Sequence, residues 1–297
     1  MPKIGVIGGS GLYSMDGLSN VQHIKMDTPF GDPSDELLLG EIGGREIVFL
    51  ARHGRGHRKM PGEVNSRANI YALKQLGVAW IISVSAVGSL KPEIKPLDIV
   101  IIDQFFDRTN QARGHTFFGN GIVAHIAFAH PVCGNLADIL YNAGKLIGAT
   151  MKKGGTYINI EGPAFSTLAE SKIYQSWGVD VIGMTNMNEA RLAREAEICY
   201  ATMAMVTDYD CWHEEETGMT VSVEAVIEYL QKNADAAKNI IRTAVQSIPK
   251  GQECDCADAL AKAIITDRNA WPAETIDRLG PIIQKYCRHS INGGNNC

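Results

Sequence analysis

No stretch of about 18 consecutive apolar residues occurs in this 297-residue chain, so no membrane-spanning helix is expected. Clustered lysine and arginine are also missing, and the formal net charge is -5. That disfavours a nucleic-acid groove, which needs grouped cations to neutralise a phosphate backbone. A small anionic ligand stays open, because one or two cations inside a cleft suffice for it. The first residues run from Met1-Pro2-Lys3 straight into a strand pattern, with no apolar stretch and cleavage site of an export signal. The cytoplasm is therefore the expected compartment. Seven cysteines, an odd number, do not suit a secreted disulfide framework. Cys254-Asp255-Cys256 could form a strained disulfide or hold a metal, but a second pair at metal-ligand spacing is missing. No metal site is expected, and the pair reads as reduced thiols near a surface loop.

What remains is an ordinary globular mixture, 45% hydrophobic and 21% charged, in a chain long enough to bury a large core. Strand-like and helical runs alternate, as in an α/β protein. Residues 3–8 are short, apolar and closed by glycines. Residues 36–42 and 46–51 flank Gly43-Gly44, a hairpin signal because both turn residues can take positive φ. Residues 80–84, 99–103, 157–160, 179–184 and 199–207 are nearly continuous apolar runs, suited to strands buried on both faces. Helical stripes run over 68–76, over 136–147 and, most regularly, from Val223 through Ile241. Nothing divides the chain, so residues 1–287 read as one domain. Residues 288–297, polar and rich in Gly and Asn, read as a flexible tail.

Six segments at apparent strand ends can carry chemistry. Gly8-Gly9-Ser10-Gly11 lets backbone N–H groups approach an anion. It lacks the terminal glycine of a dinucleotide fingerprint and the Lys-Ser/Thr of a P-loop. Arg52-His53-Gly54-Arg55-Gly56-His57-Arg58 sets planar donors among glycines, as an oxyanion site would. Ser83-Val84-Ser85-Ala86-Val87-Gly88-Ser89 offers small hydroxyls, although a simple turn is the plainer reading. Glu161-Gly162-Pro163-Ala164-Phe165-Ser166 offers an aromatic face and a hydroxyl. In Met184-Thr185-Asn186 the threonine is a capping candidate that also sits where an anion is welcome. In Thr207-Asp208-Tyr209-Asp210 two carboxylates share one side of an extended chain, and their repulsion can raise one proton affinity. Ligand sites of open α/β sheets gather at the carboxyl ends of strands, which gives the six segments a common destination.

Taken together, Gly8-Gly9-Ser10-Gly11-Leu12, Ala51-Arg52-His53-Gly54-Arg55, Gly88-Ser89-Leu90, Glu161-Gly162-Pro163, Met184-Thr185 and Thr207-Asp208-Tyr209-Asp210-Cys211-Trp212 resemble the 5'-methylthioadenosine phosphorylase family, within the trimeric purine nucleoside phosphorylases. The likeness spans about residues 3–272. It implies a single α/β domain with a mixed central β-sheet or barrel surrounded by helices, assembled as a homotrimer or hexamer. It also implies phosphorolysis of 5'-methylthioadenosine to adenine and 5-methylthioribose 1-phosphate, with inorganic phosphate as co-substrate and no cofactor. Phosphate is then expected on Ser10, Arg52, His53, Ser85, the Ala86 backbone and Thr185. Met184 would pack on the ribose, with Phe165 and Ser166 beside the base. Asp208 would serve N7 as the catalytic acid, and Asp210 the exocyclic amine. Val223, Val226 and Ile227 would line the 5' pocket, and His125 would reach into a neighbouring subunit's site. Ser10 and Ser85 stand where many relatives carry Thr, and Gly183 departs from many relatives at the ribose loop.

Two other readings fit parts of the pattern. One is a purine nucleoside phosphorylase preferring adenosine or a 6-oxopurine nucleoside. The other is a non-catalytic nucleoside-binding protein on the same scaffold. The intact Asp208, Arg52 and His53 argue against the second.

Overall fold

The apolar runs become the strands of one mixed sheet, because strands covered by helices on both faces must be apolar on both. The computed structural model describes residues 1–13, 15–110, 113–214, 223–289 and 295–296. In chain order its strands and helices are β1 (Lys3–Gly8), β2 (Ser19–Ile24), β3 (Leu37–Ile42), β4 (Arg45–Ala51), α1 (Ser66–Gln75), β5 (Val78–Ser89), β6 (Ile99–Ile101), β7 (Gln104–Arg108), α2 (Gly134–Leu146), β8 (Met151–Lys153), β9 (Thr156–Ile160), α3 (Leu168–Ser176), β10 (Val181–Gly183), α4 (Asn186–Glu195), β11 (Cys199–Tyr209), α5 (Val223–Ser247), α6 (Ala273–Leu279), β12 (Arg288–His289) and β13 (Asn295–Asn296). The main path of the sheet is β2-β3-β4-β1-β5-β10-β9-β7; β11 pairs with β5 and β6, and β6 with β8.

Side chains alternate across each strand and so sort onto its two faces, where the two largest of four buried clusters form. Ile4, Val6, Ile82 and Met203 face a cluster with Leu136 and Leu140 of α2 and Ile240 and Ile241 of α5. Ile7, Val48, Leu50 and Ile81 face Ile70 and Leu73 of α1 and Ala190 and Leu192 of α4. Gly43 and Gly44 both take positive φ, 56° and 75°, and close the β3–β4 hairpin.

β5 positions the site. Its first half lies parallel to β1, ending at the pair Ile7↔Ser83. Its last two residues pair on the same edge with antiparallel β10, through Ile182↔Gly88 and Val181↔Ser89. Between these partners, residues 84–87 have no strand on that edge among the described residues. On the other edge β11 runs alongside without such a gap, from Cys199↔Trp80 to Tyr209↔Ser89.

Several expectations need correction. Residues 83–89 are not a turn: pairing with β10 and β11 keeps β5 extended through Ser89. β2 escapes a hydrophobic reading because almost every residue in it is exposed, while β7 and β8 are short and carry polar residues. Cys254 and Cys256 are not surface thiols. Cys256 is buried in the first core, and Cys254 packs against it. The expectation of a flexible tail is not among these corrections: residues 288–289 and 295–296 pair as β12 and β13, and residues 290–294 and 297 lie outside the described residues. Among the described residues, no helix is long and apolar enough to cross a membrane.

Candidate active site

Of the predicted anion-binding residues, Arg52, Ser85 and the Ala86 backbone border the gap in the β5 edge, and His53 lies close enough to Arg52 and Glu189 to feel their charge. The backbone N of Arg52 donates to Gly8 O at 2.9 Å, which sets the Arg-His loop beside the end of β1. The Arg52 guanidinium is buried. It donates through Nη1 to Val84 O (2.8 Å), through Nη2 to Ser83 Oγ (2.6 Å), and through Nε and Nη2 to the two carboxylate oxygens of Glu189 (2.5 and 3.0 Å). Burial alone would make Arg52 easier to deprotonate, but the Glu189 carboxylate outweighs this and holds its pKa above the ordinary value. Glu189 also accepts from Ser83 Oγ (2.9 Å) and the Tyr200 hydroxyl (3.0 Å).

Since Val84 O points into the gap, two-residue alternation turns the N–H of Ala86 toward the same edge. The hydrogen bond from Leu90 N to Asp180 O (2.9 Å) follows the same phase. Ser85 is buried and Ala86 exposed, as a strand edge facing a cleft requires. Because β10 runs antiparallel to β5, the chain beyond Gly183 turns back alongside Val87, and Thr185 arrives near Ser85. Thr185 is the N-cap residue of α4 yet makes no side-chain cap; its hydroxyl donates to Asn186 Oδ1 at 3.0 Å. The capping reading therefore fails, and the hydroxyl would have to turn from Asn186 Oδ1 to donate to a ligand.

His53 lines the same region. Its Nδ1 lies 2.8 Å from Lys59 O, a group that can only accept, so Nδ1 carries the proton. Burial and the nearby Arg52 charge lower its pKa to about 4. The ring is thus neutral near pH 7, with the Nε2 lone pair available.

The acidic pair lies at the far end of the gap. Asp208 pairs with Gly88 in the ladder, and a Cβ added to Gly88 would sit 3.5 Å from Asp208 Oδ2 and 3.7 Å from Asp210 Cβ. Four residue steps of strand lead from Val84, which Arg52 touches, to Gly88, about 13 Å at ~3.3 Å per residue. Burial, before any other cause, raises the Asp208 pKa to about 6, and the Asp210 charge adds to it. The repulsion expected from the sequence is present but secondary. Thr207 Oγ1 donates to Asp208 Oδ1 at 2.6 Å and opposes the shift. Asp210 is buried and also shifted upward, chiefly by burial. Its Oδ2 and the Ser166 Oγ are buried without a hydrogen-bond partner among the described residues. Such orphaned polar atoms cost free energy unless a ligand meets them.

Met184 packs against Gly162, where any Cβ would strike its sulfur. Arg113 fixes this corner by donating to Met184 O (2.6 Å), Glu161 Oε1 (3.1 Å) and Glu161 O. Phe165 is 61% exposed at the rim. α5 passes beside the Gly8–Gly11 loop, with Ala234 4.0 Å from a Cβ placed on Gly11, and Asn233 donates to Val206 O at 3.0 Å. The side chains of Ser10, Val223, Val226 and Ile227 lie outside the described residues. His125 does not join the cluster. Its backbone donates to Ala263 O, and it lines a separate cavity of about 350 Å³ with Asp255, Asp258 and Lys262.

Sequence reasoning gave no role to Glu189, Arg113 or Tyr157. The Tyr157 ring is fully buried, and its hydroxyl occupies the space that a side chain at Gly183 would need. Only a glycine fits at that position beside Tyr157. The hydroxyl lies beside Ser85 and the Thr185 backbone, between two expected anion contacts.

Residues 3–246 match the family described as the Phosphorylase superfamily. The S-methyl-5'-thioadenosine phosphorylase of Koribacter versatilis is 58% identical over 284 residues, covering 96% of each chain. This chain belongs to the S-methyl-5'-thioadenosine phosphorylase family. The family's Geobacter sulfurreducens member is 61% identical, over 95% of this chain and 98% of its own. Among solved structures, a methylthioadenosine phosphorylase from an Antarctic soil metagenomic library superposes with a TM-score of 0.89 at 51% identity, covering 95% of this chain and 98% of that one. The Schistosoma mansoni adenosine/methylthioadenosine phosphorylase, as a mutant in complex with methylthioadenosine, gives 0.80 at 35% identity, covering 88% and 96%.

Two outcomes are expected of this phosphorylase-family site. Glu189→Gln leaves Arg52 charged, buried and without its counter-ion, and should cost about 3–5 kcal/mol of stability. Urea unfolding checks this, and a loss under about 1 kcal/mol would contradict the anchoring role. For Asp208 the folded-state pKa of about 6 exceeds the ordinary 3.8. Its contribution to stability is thus fully present below 3.8 and is lost as pH rises through about 6. Asp208→Asn, which cannot ionise, should gain up to about 3 kcal/mol over wild type at pH ~8 relative to pH ~4. A gain independent of pH would contradict the burial argument.

Proposed function

We propose that this chain catalyses phosphorolysis of S-methyl-5'-thioadenosine, releasing adenine and 5-methylthioribose 1-phosphate. The observation that carries the reading is the pairing of a buried Asp208, its pKa raised to about 6, with an Arg52-anchored backbone edge about 13 Å away along one strand. That span suits a nucleoside and phosphate lying end to end. Inorganic phosphate is the co-substrate.

Phosphate lies in the β5 gap, held by the Ala86 N–H, Ser85, Thr185, Ser10 and Arg52. Much of the guanidinium already serves Glu189, Ser83 and Val84, so Arg52 contributes mainly fixed positive charge and the shape of the edge. Neutral His53 accepts the remaining hydroxyl proton of hydrogen phosphate at Nε2, which orients the anion. This is preorganised positioning and electrostatics. As the C1'–N9 bond breaks, its electrons pass to the purine while a phosphate oxygen bonds to C1'. Asp208 delivers its proton to N7, so the base departs neutral. Over a turnover, the proton lost from hydrogen phosphate restores the one taken from Asp208.

Asp210 Oδ2, buried without a hydrogen-bond partner among the described residues, accepts from the exocyclic 6-amino group. A 6-oxo group would face it acceptor to acceptor, at a cost of about 1–3 kcal/mol. Ser166 and Phe165 flank the base, Met184 the ribose, and Val223, Val226 and Ile227 the 5' substituent. His125 stands apart from this cluster within one chain, which supports the reading that it serves a neighbouring copy in a homotrimer or hexamer. A cytoplasmic location belongs to the same proposal.

The test is phosphate-dependent release of free base. Wild type should release adenine from methylthioadenosine with a kcat/KM about 5–150-fold above its value for methylthioinosine. Asp208→Asn should lose about 10²–10⁴-fold in kcat and still bind phosphate. Equal turnover of the amino and oxo substrates would remove the role of Asp210. Wild-type turnover by Asp208→Asn would remove the acid.

A further inference from the structure

The four thiols of Cys133, Cys199, Cys254 and Cys256 lie within 4.8 Å of one another. They come from separate places in the chain. Cys133 is the N-cap residue of α2, Cys199 opens β11, and Cys254 and Cys256 flank Asp255 where the chain enters a short 3-10 turn. A second thiol pair at metal spacing is absent from the sequence because the fold assembles it from Cys133 and Cys199, which stand far apart in the chain.

We propose that these four cysteines form a structural zinc site. A tetrahedral zinc with Zn–S bonds of about 2.3 Å sets its sulfurs about 3.8 Å apart. Cys133 Sγ and Cys254 Sγ are 3.8 Å apart, and Cys199 Sγ and Cys254 Sγ 3.2 Å. A disulfide would require about 2.05 Å. Four soft sulfur donors with no carboxylate or imidazole among them select zinc over magnesium or calcium. Four protein ligands also close the coordination shell, which marks a structural and not a catalytic centre.

The surroundings suit thiolates. Cys133, Cys199 and Cys256 belong to the buried core, so competing water is kept away. The Gln252 side-chain amide donates toward Cys199 Sγ at 3.4 Å and to Ala79 O and Glu197 O, a donor placed to steady a metal-bound sulfur. On binding, zinc enters as the divalent ion and the thiols that ionise release their protons to solvent; no electron is transferred.

The site clips the segment after α5 onto α2 and the start of β11. Nine residue steps along β11 lead from Cys199 to Asp208, about 30 Å of strand. Losing the metal should therefore lower stability and leave the chemistry intact.

The experiment uses the full chain, purified under reducing conditions without chelator and equilibrated with micromolar zinc. About one tightly held zinc per chain is expected by elemental mass spectrometry, falling more than tenfold in Cys199→Ser and Cys254→Ser. Removing zinc with a chelator should expose four further thiols to Ellman's reagent and lower the Tm, while kcat for adenine release changes less than twofold. Because a serine variant can fail to fold, wild type loaded with cobalt(II) is the second readout. It should show thiolate-to-cobalt charge transfer and tetrahedral d–d bands. Failure of the reduced wild type to retain zinc overturns the proposal, as does a cobalt spectrum without thiolate bands. An intact mass showing disulfides among these four cysteines overturns it too.

Discussion

Four residues of β5 with no strand on one edge among the described residues are the constraint on which the site depends. Unpaired strand edges are costly inside a fold and must be satisfied by something. Here the Arg52 guanidinium takes Val84 O, and Ala86 is left facing the cleft. The gap exists because β1 stops at Gly8 while β10 joins from the opposite direction at Gly88. An oxyanion meeting that edge replaces the missing strand. Arg52 can be buried there only because Glu189 neutralises it, and Glu189 is in turn held by Ser83 and Tyr200. The phosphate end thus has a rigid polar frame reaching from β4 through β5 and α4 to β11.

The base end follows another logic. Asp208 and Asp210 sit where burial makes ionisation costly, and neither has a cation to offset it among the hydrogen bonds and charges that shift them. A carboxyl so placed destabilises the free protein near neutral pH. The same cost keeps a proton available for a leaving purine, so the strain at Asp208 and the orphaned oxygen of Asp210 make sense as features awaiting a ligand.

Much of this was legible beforehand, for identifiable reasons. β1, β4, β9 and β11 are covered on both faces and so read as apolar runs. The Gly43-Gly44 turn announced its hairpin. Arg52, Ser85, Thr185 and Asp208 were visible as polar residues breaking into such runs. Glu189 was not, because an acid on a helix normally faces water, and only the approach of Arg52 turns it inward. Tyr157 read as one more residue of a buried strand, and its relation to Gly183 exists only across two paired strands. The second half of β5 was misread as a turn, since small hydroxyl residues and glycine mimic loop chemistry when pairing partners are unknown. The thiol cluster was missed because its four members are gathered by tertiary packing at the end of β11 remote from the site.

The central claim is that one cleft holds an oxyanion on the open β5 edge and a purine against Asp208. A crystal structure with sulfate and methylthioadenosine tests it most directly. The account predicts sulfate oxygens about 3 Å from the Ala86 amide and the Thr185 hydroxyl, with adenine N7 at a similar distance from Asp208. Sulfate bound elsewhere, or a purine with N7 turned away from Asp208, would contradict it.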